Sequence, residues 1–393
     1  MKILVTIIRI IVGLLFIFSG LVKANDPMGL SYKMQEYFEI WGVHQFNSWT
    51  LLIAVLMNAF EIIAGFALLL GWRIRLFSWL LLLLIVFFTF LTGYTYATGK
   101  PVNCGCFGDC LPITSKTSFL KDIVLLVLVG FLFWKQKMIK PFLSNTLTNI
   151  KMAGVTLLSF GFQWYTLTYL PVVDCLPYKK GNNISEKMKM PANAIPDSTV
   201  ITFVYSKNGK EIEFTADRFP EDFSPETYTL IKRYDKLVRK GKNNEPPIKG
   251  FSLVNKDKVD YTDKVLSSPY AVLLFIEKFS DAGSGWKNKF SKIYLDAKAK
   301  GISSYIITAE PAKAPGHISG TSFSEIPVLT CDYKAIETAA RTNPCLFLLK
   351  EGTILGKWSE KRMNNILKTI EELSAQTMTT PEVNIEPADT TNN

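Results

Sequence analysis

Four apolar segments, residues 3–22, 49–71, 76–94 and 117–134, fall within the first 134 positions. A helix rises 1.5 Å per residue, so about 20 apolar residues cross a hydrocarbon core of about 30 Å. Lipid offers no partner to an unpaired peptide group, so such segments must be helical or closed into a barrel. A fifth segment, 152–170, carries Thr156, Ser159, Gln163, Thr166 and Thr168 and is expected to span as well. The first segment is read as a span, not a cleaved leader. Its apolar run is long, contains Arg9 and lacks a small-x-small cleavage site.

Charge divides the chain in two. The first 170 residues hold 13 of the 44 Lys and Arg and 6 of the 34 Asp and Glu. An apolar part therefore precedes a charged, soluble one. Acids and bases alternate along the soluble part with no basic stripe interleaved with aromatics, so nucleic acid is not expected as a partner. Short-loop cations set the orientation. Lys2, Arg73, Arg75, Lys135, Lys137, Lys140 and Lys151 fall on one side; Lys23, Lys33, Lys100 and Lys116 fall on the other. The N-terminus is then cytoplasmic, and five spans put the C-terminal part in the periplasm of a bacterial inner membrane.

Two charges lie within the spans: Arg9 in the first and Glu61 in the middle of the second. An ionised group in a bilayer pairs or faces a cavity. Arg9 and Glu61 are expected to pair, either as a structural lock on the bundle or as a proton or ligand site.

Three of the six cysteines stand in seven residues, Cys104-Gly105-Cys106-Phe107-Gly108-Asp109-Cys110, between the third and fourth spans. Three sulfurs without a nearby histidine fall short of a four-ligand metal site. A redox pair and a structural staple both remain open. Cys175 follows the fifth segment by five residues, so it and Cys110 stand near the same membrane face. A Cys110–Cys175 disulfide is expected, leaving Cys104 and Cys106 as the pair for redox work; Cys106–Cys110 is the competing pairing.

Arg9, the string Ser19-Gly20-Leu21-Val22-Lys23, Asp26-Pro27, Glu61 and Cys104-Gly105-Cys106-Phe107-Gly108-Asp109 together resemble the DoxX-like membrane proteins. The similarity is greatest to the branch of the methylamine-utilisation protein MauE, over roughly residues 1–140. The resemblance implies a four-helix membrane core and a supporting role in periplasmic thiol or disulfide chemistry. Cys110 departs from the pattern expected there.

Beyond the spans, strands at 200–205 and 211–215 flank Asn208-Gly209, a hairpin signal. A helix is expected over 225–239, a charged linker over 240–247 and a disordered tail from Gln376. Between them, strands at 271–279, 303–309, 326–330, 345–349 and 354–358 alternate with helices at 285–300, 334–341 and 361–374. That order predicts an α/β domain with a mixed sheet. It resembles the thioredoxin-like fold of the TlpA type, whose opening strand matches Gly250-Phe251-Ser252-Leu253-Val254. Asn343-Pro344 stands at that family's cis-proline, just before Cys345. The family's Cys-x-x-Cys is missing: Ser280-Asp281-Ala282-Gly283-Ser284-Gly285-Trp286 takes its place. Without a thiolate the domain cannot perform the standard reaction, and Cys331 and Cys345 read as buried small hydrophobes.

The expected organisation is a membrane domain at 1–140, a fifth helix at 151–170, a connector at 171–246, a degenerate thioredoxin-like domain at 247–375 and a tail at 376–393. The expected partners are the bilayer and a periplasmic protein; the residues name no cofactor. Two functions compete: redox support through Cys104 and Cys106, or a non-enzymatic scaffold in which the cysteines are structural. A small-molecule binder using Arg9 and Glu61 is the third and weakest.

Overall fold

A computed structural model describes residues 1–101, 105, 108–239, 241 and 243–378, with the backbone alone for 374–378. Cys104 and Cys106 therefore lie outside the described residues. Two compact units emerge, one of residues 1–182 with 252 onward, the other of residues 183–251.

The first unit opens with a helical bundle: α1 (Lys2–Asn25), α2 (Pro27–Ile40), α3 (Thr50–Leu70), α4 (Ile74–Thr98), α5 (Ser115–Trp134) and α6 (Asn145–Tyr169). Among the described residues, α1, α3 with the turn before it, α4 and α5 are long and apolar enough to cross a membrane. Helix α1 runs antiparallel to α3, and the two approach closely at glycines. A Cβ on Gly65 would stand 2.7 Å from the Gly13 carbonyl oxygen, and one on Gly20 would stand 2.7 Å from the Ile62 side chain. Without a hydrophobic drive between helices in lipid, such close contact is what holds them together. The short α2 begins at Asp26, whose carboxylate accepts from Gly29 N, with Pro27 in its first turn. Hydrogen bonds Ser31–Thr50 (2.9 Å) and Tyr37–Thr95 (2.7 Å) fix it to the neighbouring helices.

Helix α6 is long enough to span, but polar residues lower its hydropathy. Those residues face inward. Gln163 Nε2 donates to the Val55 carbonyl at 3.1 Å, Asn58 Nδ2 donates to Gln163 Oε1 at 3.2 Å, and Thr166 Oγ1 donates to the Ala24 carbonyl at 3.1 Å. Leu157, Leu158 and Trp164 face outward, 76%, 72% and 64% exposed.

The second unit begins with one turn, α7 (Ile184–Lys187), and contains a three-stranded antiparallel sheet in the order β2-β1-β3. Strands β1 (Ser198–Lys207) and β2 (Lys210–Thr215) join through Asn208 and Gly209, both at positive φ (51° and 76°). That is the geometry a two-residue hairpin needs. Tyr205, Phe214, Phe223 and Tyr228 cluster on one face. The helix expected over 225–239 is instead β3 (Thr229–Arg239), paired with β1. Leu230, Ile231, Tyr234, Leu237 and Val238 have helical spacing, but the open edge of β1 satisfies their backbone, and tertiary pairing overrides the local pattern.

The first unit resumes with an α/β domain. Its sheet runs in the order β6-β5-β4-β7-β8. Strands β4 (Ala271–Ile276), β5 (Ser303–Thr308) and β6 (Val328–Thr330) are parallel. Strands β7 (Cys345–Lys350) and β8 (Thr353–Ser359) are antiparallel additions. Every residue of β4 is buried, so the strand reads as a continuous apolar run. Helices α9 (Gly285–Ala299) and α12 (Asn365–Met378) cover one face through Phe290, Ile293, Ile366 and Ile370. Short helices α8 (Thr262–Leu266), α10 (Ala314–Ile318) and α11 (Tyr333–Ala339) complete the domain. This β-α-β followed by a β-hairpin and a closing helix is the thioredoxin-like arrangement expected from the sequence. No opening strand forms at 250–254; Val254 makes only isolated bridges, to Asp260 and to Thr330. Helix α12 continues to Met378, two residues past the expected start of the tail; residues 379–393 lie outside the described residues.

Candidate functional site

After α4, Gly105 lies beside Lys33 of α2 and Gly108 beside Val22 of α1. Gly105 and Gly108 take positive φ (67° and 58°), which the tight turn requires. A Cβ on Gly105 would stand 3.1 Å from Lys33 Cγ, so the loop lies against α2. A disulfide joins Cys110 to Cys175, with Cα atoms 4.9 Å apart and 65 residues between them. Closing a loop of that length is worth roughly 4 kcal/mol in the chain-entropy model. Asn25 grips the segment just before Cys175, donating to the Val173 carbonyl at 2.8 Å and accepting from its N–H at 3.0 Å.

The thioredoxin-like domain meets this end of the bundle through the loop that precedes β7. Arg341 is buried there. Its Nε donates to Asp26 at 2.8 Å and its Nη2 to Asp109 at 2.9 Å, while Nη1 donates to the Glu337 carbonyl. The same guanidinium stacks 5.4 Å from the centre of the Tyr32 ring. Burial works against its charge, but Asp26 and Asp109 outweigh it and hold Arg341 protonated more firmly than an ordinary arginine. Glu277, just after β4, accepts from Tyr32 at 3.0 Å and from Tyr333 at 2.8 Å. Burial, then the Glu277 charge, raises both phenols well above their ordinary value. Asn343 accepts from Glu277 N–H at 3.1 Å, and the Asn343–Pro344 peptide is cis. Lys357 to Asp174 (2.9 Å) and Arg362 to Tyr165 (2.9 Å) extend the contact.

Glu337, on α11, lies one turn before Arg341. Burial and the neighbouring Glu277 push its carboxyl up to about 7 from 4.5. The folded chain keeps this proton through that window while the unfolded chain has lost it. Stability from this group is therefore intact below pH 4.5 and falls as pH rises to about 7. Thermal melts of the full chain should show a shallower loss of stability over that window in Glu337→Gln. Superimposable profiles for the two chains would remove this role.

The position of the missing cysteine pair is occupied by Ser280 to Trp286, with Trp286 buried in the first turn of α9. Cys331 and Cys345 are buried, and burial raises both thiols to about 11. Neither is an available thiolate near neutral pH.

Within the bundle, Arg9 and Glu61 do not pair. Arg9 Nε donates to the Leu68 carbonyl at 2.7 Å and Nη2 to that of Leu69, at the C-terminus of α3. Carbonyls at the negative end of the helix supply what a carboxylate would. Glu61 binds Lys23, and both side chains are buried. Lys23 closes the Ser19–Lys23 string, one position beyond the apolar run at 3–22 but still within α1, so counting it among loop cations concealed it. Arg341, Glu277 and Tyr32 also escaped the sequence reading, because their neighbours come from distant segments. The Lys23–Glu61 pair lines a cavity with Ser19, Phe88 and Asp122.

Comparison with known proteins gives three findings. Residues 1–135 match the family of the methylamine utilisation protein MauE, and residues 194–240 match a domain of unknown function, DUF8463. No curated protein matches the chain. A solved structure of Xanthomonas campestris peroxiredoxin Q is similar at 12% identity, over 32% of this chain and 90% of that one, with a TM-score of 0.24. The chain thus carries a MauE-family domain of four apolar helices at its N-terminus, followed by an α/β domain of thioredoxin-like topology.

Proposed function

We propose that this membrane protein supports thiol–disulfide chemistry in the periplasm, with Cys104 and Cys106 as the reacting pair. The thioredoxin-like domain acts as a non-catalytic cap that orients the loop and a periplasmic protein partner. One observation carries this reading: Arg341 binds Asp109, three residues from Cys106. The end of the domain that bears the thiols in other members of that fold is thus seated on the loop that bears them here. The loop-charge asymmetry and the outward apolar face of α6 support a five-span topology with this end outside. An oxidising compartment suits the Cys110–Cys175 bond, and that bond withdraws one of the loop's three sulfurs, Cys110, from exchange with the other two. A scaffold role is the second reading, supported by the absence of any thiol at 280–286.

The test is thiol trapping in intact cells. A membrane-impermeant maleimide should label Cys104 and Cys106 after brief reduction and lose them after reoxidation, while Cys110 and Cys175 stay protected. In Cys104→Ser, Cys106 should accumulate a mixed disulfide with a periplasmic protein. A loop pair that holds one redox state through both treatments would leave the scaffold reading standing alone.

A further inference from the structure

Strand β3 is the outer strand of the order β2-β1-β3, so one of its backbone edges has no partner strand among the described residues. It runs for eleven residues, about twice the usual strand length, without proline or glycine. All eleven are exposed, including Leu230 (52%), Ile231 (47%), Tyr234 (37%), Leu237 (51%) and Val238 (63%). Soluble domains usually blunt such an edge by keeping it short or by placing proline in it. The register shifts against β1 fall at Ile231 and Val238, so residues 232–237 form an uninterrupted run.

The apolar residues lie on both faces. Leu230 stands opposite Tyr205, and Tyr234 stands opposite Thr202. Three positions apart on β1, those two partners point to opposite sides of the sheet. A flat lipid surface covers one face only and leaves the backbone edge unpaired. A strand laid alongside meets both faces at once and takes the free N–H and C=O groups.

The sequence of β3 indicates which strand that is. Around Tyr234, residues 229–239 read the same in polarity in both directions. Set antiparallel on itself about Tyr234, the strand brings Leu230 to Val238, Ile231 to Leu237 and Arg233 to Asp235, each twice. Lys232 then faces Lys236, a small cost at exposed positions screened by salt. A shift of two residues one way sets Arg233 on itself and Ile231 opposite Asp235. The opposite shift sets Asp235 on itself and Arg233 opposite Leu237. The centred register alone among these joins opposite charges to each other and apolar residues to each other.

We propose that β3 joins two copies of this chain. The strand pairs antiparallel with its counterpart in the second copy about a twofold axis at Tyr234, and two three-stranded sheets become one. Anchoring in a common membrane raises the effective concentration of the two copies, so a contact of modest area suffices.

The experiment uses the full chain in bacterial membranes, with Cys104→Ser and Cys106→Ser to silence the loop. The remaining free thiols, Cys331 and Cys345, are buried. Tyr234→Cys places one thiol at the axis, where opposed Cβ atoms stand about 4.5–5.5 Å apart. Copper-phenanthroline oxidation should then give a covalent dimer on a non-reducing gel. Lys236→Cys alone should stay monomeric, because its counterpart lies four residues, about 14 Å, along the strand. Co-expressed with Lys232→Cys, it should cross-link, which reads the register without altering Tyr234. Arg233→Asp sets like charges opposite each other and should cut cross-linking about tenfold; adding Asp235→Arg should restore it. Lys236→Cys cross-linking as strongly as Tyr234→Cys reports random collision and overturns the contact. So does a Tyr234→Cys chain, and a Lys232→Cys with Lys236→Cys pair, that maleimide labels but oxidation leaves monomeric. Quenching of a fluorophore on Cys-substituted position 234 by brominated lipid, in place of cross-linking, would give the strand to the membrane surface and overturn the pairing.

Discussion

Lys23→Met should lower the stability of the bundle by about 3–5 kcal/mol, the usual effect of removing one partner from a buried ion pair. Lys23 and Glu61 are 3% and 1% exposed. Water cannot reach the glutamate left behind, and its second oxygen already lacks a partner. Glu61→Gln should cost less, since a neutral amide still accepts from the ammonium. Lys23→Met with Glu61→Gln should be milder than the sum, because no charge is then stranded. Arg9 supplies the control. Its contacts at Leu68 and Leu69 lie seven and eight residues from Glu61, about 10–12 Å along the helix. Arg9→Ala and Glu61→Gln should therefore add within about 0.5 kcal/mol. Thermal unfolding in detergent, followed by the fraction remaining monodisperse, reads all five proteins. Strong coupling of Arg9 to Glu61, with none of Lys23 to Glu61, would reverse the assignment.

The parts of this fold that were legible in the sequence are those set by local composition. Apolar length located the four helices, and Asn208-Gly209 located the hairpin because few residues tolerate its positive φ. The continuous apolar run at 271–276 announced a buried strand. Strand β3 was not legible. Its exposed apolar residues fall at helical spacing, and only the free edge of β1 makes it a strand. The candidate site was legible in its cysteines and illegible in its contacts. Glu61 signals an unusual environment by itself, but Lys23 was disguised by its place at the end of a span. Arg341 gave no sign. An arginine in a polar loop is usually solvated, and its burial depends on Asp26 and Asp109, which lie 315 and 232 positions away.

Arg341→Ala should release the thioredoxin-like domain from the bundle end without unfolding it. The arginine side chain is 4% exposed and neutralises Asp26 and Asp109 together. Its loss leaves two carboxylates facing each other beneath the domain. Asp109 is 41% exposed and keeps water, so the cost should sit near the lower end for a buried pair, about 3 kcal/mol. That corresponds to roughly a hundredfold in the docking equilibrium. The domain's own core, built on Phe290, Leu346 and Ile366, does not involve this residue and should keep its melting behaviour. Two contacts report docking in the full chain: Lys334 to Glu39 at 3.4 Å and Lys357 to Asp174 at 2.9 Å. Carbodiimide cross-linking should lose the first in Arg341→Ala. The second should persist in part, because Asp174 adjoins the Cys110–Cys175 tether. Arg341→Lys should fall between, since an ammonium cannot reproduce a planar fork that reaches two carboxylates. Equal cross-linking at Lys334 and Glu39 in all three proteins, with unchanged amide protection along α2, would mean that the domain is held by its other contacts and that Arg341 does not set its position over the cysteine loop.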